Sequence, residues 1–296
     1  MYSTATATAT DDVSPATALV NGMLDLVPLP QAYVRIRQAV DDPDTDLRAL
    51  AAIVSSDPAL AARVLRLVNS AYVGLMAPVD SIDHAVRVLG MRQIHDMALA
   101  TSAVGSLSRL RGDLFDIFEF WRLSIYCAGS AREIAQRCEL AQPERLFLCG
   151  LLHAIGNLVI AHELPDGFVD CREQARTLDR PYFELQREMF GFDYAEVSAE
   201  LLRRWNLSAG LVLPIMLHTR AIGNLAPEDQ ADSAVVSIAA TTARAASYRS
   251  ADSEPVPDYD SFALTLTGID ADAIEDLMTH VDDAVADSLA ALLPDV

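Results

Sequence analysis

Histidine, cysteine and carboxylate side chains carry whatever chemistry this 296-residue chain can do. The six histidines are His84, His95, His153, His162, His218 and His280. No two lie three or four residues apart, so no helix can present a paired-imidazole metal face. His162-Glu163 opens like the zinc motif H-E-x-x-H, but the second His position is Asp166, and Pro165 interrupts the helix that would align the ligands. Cys127, Cys138, Cys149 and Cys171 form no C-x-x-C pair, which removes zinc ribbons and thioredoxin-like redox motifs. All 22 basic residues are Arg. Without lysine there is no P-loop cation for nucleotide phosphates and no amine for a Schiff base. G-x-S-x-G and G-x-G-x-x-G are absent, so neither a nucleophile elbow nor a dinucleotide fingerprint is present.

The most informative segment runs from Cys149 to Leu158 and centres on His153. Flanked by Leu, Leu, Ile and Gly, His153 reads on spacing alone as a hydrogen-bonded core residue before it reads as a ligand.

The elements that must position these residues are helical. Hydrophobic residues make up 51% of the chain, which marks a folded protein. The 42 acidic and 22 basic residues leave a formal charge of −20, which disfavours nucleic acid and anionic membranes as partners. Residues 1–16 are expected to be a disordered tail. Apolar spacing predicts helices over 46–55, 58–68, 81–90, 92–104, 114–139 and 143–163. Pro165 and Gly167 should interrupt before helices at 168–178, 181–190, 193–205 and 208–218. Asp57 and Asp193 read as N-caps, Asp193 with Glu196 as a capping box. From Ala221 the segment holds 15 acidic residues and two Arg, and predicts acidic helices at 227–248 and 270–293 joined by a polar linker, with a weak strand signal at Phe262, Leu264 and Leu266. These helices are expected to cover the bundle. No strand–helix alternation exists, so the class is all-α. The apolar run 146–161, carrying His153 and Asn157, predicts a buried core helix and no membrane insertion. The N-terminus lacks a secretory pattern and the cysteines sit among apolar residues, so the expected location is cytoplasmic.

A set of motifs then adds a family resemblance. Leu26-Val27-Pro28-Leu29-Pro30, Ser56-Asp57-Pro58-Ala59-Leu60, Asn69-Ser70-Ala71-Tyr72, Ser81-Ile82 with Ala85, Leu89 and Gly90, Phe120-Trp121, Glu188 with Gly191, and Leu201-Leu202 with Trp205 follow one another in order around Gly150-Leu151-Leu152-His153-Ala154-Ile155-Gly156. The combination, spanning roughly 20–220, resembles the HDOD domains, output domains of bacterial signalling proteins related to the HD metal-dependent phosphohydrolases. The resemblance implies an HD-type helical bundle over 17–220 with the acidic helices of 221–296 packed on or extending it.

The resemblance also defines where metal ligands would stand. The first His position corresponds to Leu123, the His-Asp doublet to His153-Ala154, a helix-start His to Tyr194, and a late His-His pair to His218-Thr219. Two imidazoles and no bridging carboxylate make no dinuclear centre. No metal, cofactor or catalytic residue is therefore expected, and Trp121 and Glu188 are candidate walls of a vestigial pocket. Asp57, Pro58, Asn69, Ser70, Gly90, Gly150, Gly156 and Trp205 are expected to be structural. The implied function is a non-enzymatic regulatory domain that binds a signalling protein or a nucleotide-type small ligand. The alternatives are a residual phosphohydrolase acting on nucleotides or cyclic dinucleotides, and a small-ligand sensor using the vestigial pocket.

Overall fold

Short polar caps and prolines set most of the helix boundaries. In the computed structural model, residues 14–23, 28–70, 73, 75, 77–108, 110, 114, 116–247 and 255–292 are described, and the side chains of 282–284, 286–288 and 290 are not. Fifteen α-helices and no strand are found among them. Asp46 accepts from Ala49 N at 2.8 Å and starts α3 (Leu47–Ser55); Asp57 accepts from Leu60 N at 3.0 Å and starts α4 (Pro58–Val68) with Pro58 in its first turn. Two earlier helices, α1 (Pro15–Met23) and α2 (Gln31–Asp41), precede them.

Asn69 ends α4 and reaches ten residues forward: its amide donates to Val79 O and accepts from Val79 N, both at 2.7 Å. Ser70 Oγ donates to Leu67 O at 2.7 Å. Together they fix the chain's return into α5 (Ile82–Leu107), which is broken at Gly90 by φ 83° and ψ 168°. That left-handed conformation suits glycine and separates two helical halves where the sequence predicts a stop.

The centre of the molecule is α6 (Ile117–Arg137) against α7 (Pro143–Leu152). From there the chain continues through α8 (Gly156–Glu163), α9 (Pro165–Leu178), α10 (Tyr182–Phe190), α11 (Tyr194–Arg204) and α12 (Ala209–Leu217). After a 3-10 turn at Ile222–Asn224, α13 (Pro227–Ser247), α14 (Ser261–Thr267) and α15 (Ala271–Leu292) return to the bundle. α13 and α15 both pack on α6, and their apolar faces join one continuous core with the earlier helices. Tyr126 on α6 donates to Met278 O on α15 at 3.0 Å, and Arg137 bridges Glu133 and Asp276, both at 2.7 Å.

Several expectations need correction. Residues 1–13 of the expected tail, with Leu26, Val27, Ala71 and Tyr72 of the motifs, lie outside the described residues. Pro15 and Ala16 belong to α1, where Ala16 is buried. The expected interruption falls at Leu164, where φ −130° and ψ 57° separate α8 from α9, but α9 restarts at Pro165 rather than at 168, so Pro165 and Gly167 sit in its first turn, where a missing N–H breaks no bond. Phe262, Leu264 and Leu266 are helical in α14, capped by Asp260. The predicted helix over 143–163 is two helices with a break at 153–155. That run has the length and hydropathy to cross a membrane, but 83% of its apolar window is buried in the protein. All four cysteines are free thiols.

Candidate functional site

The break between α7 and α8 is where the candidate site forms. Two glycines let four helices meet there. A Cβ on Gly150 would lie 2.7 Å from both Ala128 Cα and Cys127 O, so glycine lets α7 press directly on the α6 backbone. A Cβ on Gly156 would lie 2.1 Å from Tyr194 O and 2.8 Å from Ser198 N, so glycine lets the start of α8 touch α11. Between them the chain turns at His153, Ala154 and Ile155. Ser198 Oγ pins this turn: it accepts from Gly156 N at 2.8 Å and stands 2.9 Å from His153 O. Gln186 ties the same region together, donating to Asn157 Oδ1 at 3.1 Å and accepting from Tyr194 N at 2.8 Å.

His153 and His218 come together across this junction, with ring centroids 5.5 Å apart at 77°. Each caps the end of its helix and turns Nδ1 onto a carbonyl three residues back. His153 Nδ1 lies 2.7 Å from Gly150 O, and His218 Nδ1 lies 2.6 Å from Ile215 O. The carbonyls can only accept, so both Nδ1 carry the proton and both Nε2 are acceptors. Tyr194 OH donates to His218 Nε2 at 3.1 Å. Burial pushes the His153 imidazole down to about 3, helped by His218 and Arg244 and opposed by the Gly150 carbonyl. His218 is likewise pushed down to about 4 by burial, with Arg244 and Arg187 adding to it against the Ile215 carbonyl. Both rings are neutral at pH 7. Burial raises the Tyr194 hydroxyl to about 12.

Asp193 is the fully buried carboxylate nearest this junction. It is occupied by the Arg187 guanidinium, by Thr219 Oγ1 at 2.8 Å and by Glu196 N at 2.9 Å. The Glu196 side chain returns a bond to Asp193 N at 3.0 Å, completing the expected capping box. The metal centre of HD hydrolases therefore does not fit: Ala154 offers a methyl, His218 Nε2 holds the tyrosine, and Asp193, the buried carboxylate among the described residues, is spent on an arginine. Among the described residues no three His, Cys, Asp or Glu cluster as an ion site.

On the other side of Tyr194 a cavity of about 570 Å³ opens. α10 supplies Phe183 and Arg187, and the turn after α12 supplies His218, Thr219 and Arg220. α13 supplies Ser237, Ala240, Thr241 and Arg244, and the stretch before α14 supplies residues 257–260. The Arg244 guanidinium lies over the Tyr194 ring at 5.6 Å, and that of Arg187 lies over Phe183 at 5.2 Å.

Not every expected site residue is here. Tyr194 and His218 line the cavity, while His153 and Ala154 stand behind them. Leu123 is half-buried and takes no part in the lining; on α6 it is Cys127, one turn later, whose thiol senses Arg244. Trp121 is not a wall: it is fully buried, donates to Ser108 Oγ at 2.8 Å and packs edge-on against Phe120. Glu188 points to solvent and pairs with Arg180 at 2.7 and 3.1 Å. Trp205 is a core residue whose carbonyl accepts from Arg37 at 2.8 Å. The sequence reading missed Arg187, Ser198, Arg220 and Arg244. Of these, Arg244 had a visible signal, since Ser237, Ala240, Thr241 and Arg244 form one i, i+3, i+4, i+7 stripe of small and polar residues beside the apolar face of Val235, Val236 and Ile238.

This all-α bundle, with its His-bearing break between two glycine-packed helices, has a fold of HD/HDOD type. Within that class the chain belongs to the HDOD domain family, whose model matches residues 26–221. An uncharacterized protein of Treponema pallidum (strain Nichols) is 26% identical over 204 residues, covering 69% of this chain but only 39% of the relative. Among solved structures, the Shewanella amazonensis SB2B protein titled "Putative phosphohydrolase" is 27% identical with a TM-score of 0.71, covering 93% of this chain and 97% of its own. An HDOD domain protein with unknown function from Geobacter sulfurreducens shares the fold at 22% identity and a TM-score of 0.72, covering 95% and 98%.

Proposed function

We propose that the chain is a regulatory domain of signal transduction that acts by binding and carries out no hydrolysis. The observation that supports this reading is the state of the would-be metal position. Its two imidazoles are neutral and buried, with each Nδ1 committed to a backbone carbonyl and one Nε2 to Tyr194. Among the described residues no acidic ligand replaces the methyl of Ala154. Binding would then bias a conformational equilibrium, and the altered surface would be passed to a protein partner. The free thiols suit a reducing compartment, and we place the protein in the cytoplasm.

The Shewanella relative's name as a phosphohydrolase supplies the competing reading. Metal analysis of the purified protein, followed by a phosphodiester assay with manganese, separates the two. The binding-only reading expects no stoichiometric metal and no turnover. Stoichiometric metal with turnover abolished by His153→Ala would overturn it.

A further inference from the structure

We propose that the cavity between α10, α11 and α13 binds a small phosphate ester, held by Arg187, Arg220 and Arg244 against the rings of Tyr194 and Tyr259. The inference rests on the binding reading above and names the ligand class. Half of the lining residues lie beyond the family match that ends at 221, so this pocket is built jointly by the HDOD segment and the C-terminal extension of this chain.

Charge placement carries the argument. The chain has a formal charge of −20, yet three of its 22 cationic residues line one cavity. The acids that hold two of them, Asp193 on Arg187 and Glu196 on Arg220, stand outside the lining. They fix the guanidiniums from behind. The acids within the lining are engaged elsewhere or face water. Glu184 pairs with Arg180 at 2.9 Å, Asp260 accepts from Ile222 N at 3.0 Å and Ala263 N at 2.9 Å, and Asp258 is exposed. The buried neighbours register the resulting field, because Arg244 disfavours protonation of both His153 and His218.

Geometry then selects the anion. The three guanidiniums come from three elements: α10, the turn after α12, and α13. A planar carboxylate satisfies one guanidinium fork, whereas a phosphate group offers oxygens in several directions. A volume of about 570 Å³ exceeds what orthophosphate fills and falls in the range of pockets that enclose small organic ligands. α13 makes this room by placing Ser237, Ala240 and Thr241 where its other faces carry Val and Ile. Tyr194 and Tyr259 give flat, partly apolar walls suited to a base or sugar.

Calorimetric titration of the full chain at low salt tests this, with AMP, GMP and pyrophosphate as probes and adenosine and guanosine as uncharged controls. At least one phosphate-bearing probe should bind saturably, and the nucleosides should bind at least about tenfold more weakly. Arg244→Gln and Arg220→Gln should each weaken binding by about tenfold or more, with helical circular dichroism retained. Arg220 lies at the rim, so its variant guards against a folding defect in the first. The proposal is overturned if no phosphate probe binds below about 10 mM, if a nucleoside binds as well as its nucleotide, or if neither variant weakens binding. Manganese-dependent hydrolysis of a bound probe would instead remove the non-catalytic reading and leave the site standing.

Discussion

Tyr194 divides two regions of opposite character. Behind it, the junction of α7, α8, α11 and α12 is closely packed, its two imidazoles neutral and each Nδ1 bonded to a carbonyl three residues back. In front of it, the cavity is roomy, charged and walled in part by α13 and residues 257–260. In an active HD enzyme the first region would hold the ions. Here its histidines serve as helix-end hydrogen bonders, and the features able to take a ligand lie on the other face of the tyrosine. On the reading proposed above, a site position keeps its histidine and its fold while ligand binding moves some ångströms away.

The sharpest way to break this comparison is to separate the helices that form the closed region. Gly156→Ala places a methyl carbon 2.1 Å from the Tyr194 carbonyl oxygen and 2.8 Å from Ser198 N, both backbone atoms that cannot swing aside. We expect a loss of about 4 kcal/mol or more, seen as failure to accumulate soluble protein or as a collapse of the urea midpoint. Gly150→Ala meets the α6 backbone at 2.7 Å and should behave similarly. If either variant is as stable as wild type, the close packing described for this junction is wrong.

Much of the helical framework was legible in the sequence, the junction only in part. Asp57-Pro58 and Asp193 with Glu196 announce helix starts, and both fold as their residues predict. The break after His153 was not legible, because 143–163 is apolar on every face and periodicity cannot mark an interruption in a fully buried run. Pro165 marked the end of α8 but not its own side of the break: a proline in a first turn and a proline in a linker look alike until the start of the helix is known. The cavity was hidden more deeply. Its three arginines sit at 187, 220 and 244, and only tertiary packing of α13 against α12 brings them to one wall. Glu188 was misplaced because Arg187, its neighbour, is the residue of that turn directed inward.

The next largest effect concerns the acid that holds the two regions together. Asp193→Ala removes the carboxylate partner of Arg187, the bond to Thr219 and the N-cap of α11 in one step. Asp193 is fully buried while Arg187 is partly exposed, so the expected loss is about 3 kcal/mol rather than the upper end for a sealed pair. Asp193→Asn keeps the cap and should recover about 1 kcal/mol of it. Chemical denaturation of both variants checks the order; equal losses would mean the cap contributes nothing.

Acidification probes the closed region without mutation. The folded-state values of His153 and His218, about 3 and about 4, lie below the 6.5 of an exposed imidazole. Between those limits the unfolded chain binds more protons than the folded one, so stability rises with pH and is lost as pH falls below 6.5. At pH 5 the loss is roughly 2 kcal/mol per imidazole. Urea midpoints measured from pH 7.5 to 5 should fall with this slope, and His153→Gln should remove about half of it. A flat profile over that range would show that the rings are not buried as described.

The smallest predicted effect bears most directly on the boundary between the regions. Tyr194→Phe keeps the ring that walls the cavity and supports Arg244, and removes only the hydroxyl that donates to His218 Nε2. At neutral pH the expected loss is about 1 kcal/mol, that of one buried hydrogen bond. Its consequence for titration is more specific. The hydroxyl favours the neutral imidazole by donating to Nε2, so without it the folded-state value of His218 should move upward, toward 6.5. The unfolded value is unchanged, and the gap that drives acid destabilisation narrows. Tyr194→Phe should therefore be slightly less stable than wild type at pH 7.5 and lose less of its remaining stability on going to pH 5. An NMR titration of the His218 ring would follow the same shift directly. If the ring titrates as in wild type, the tyrosine is only a wall, and the two regions are joined by packing rather than by that hydrogen bond.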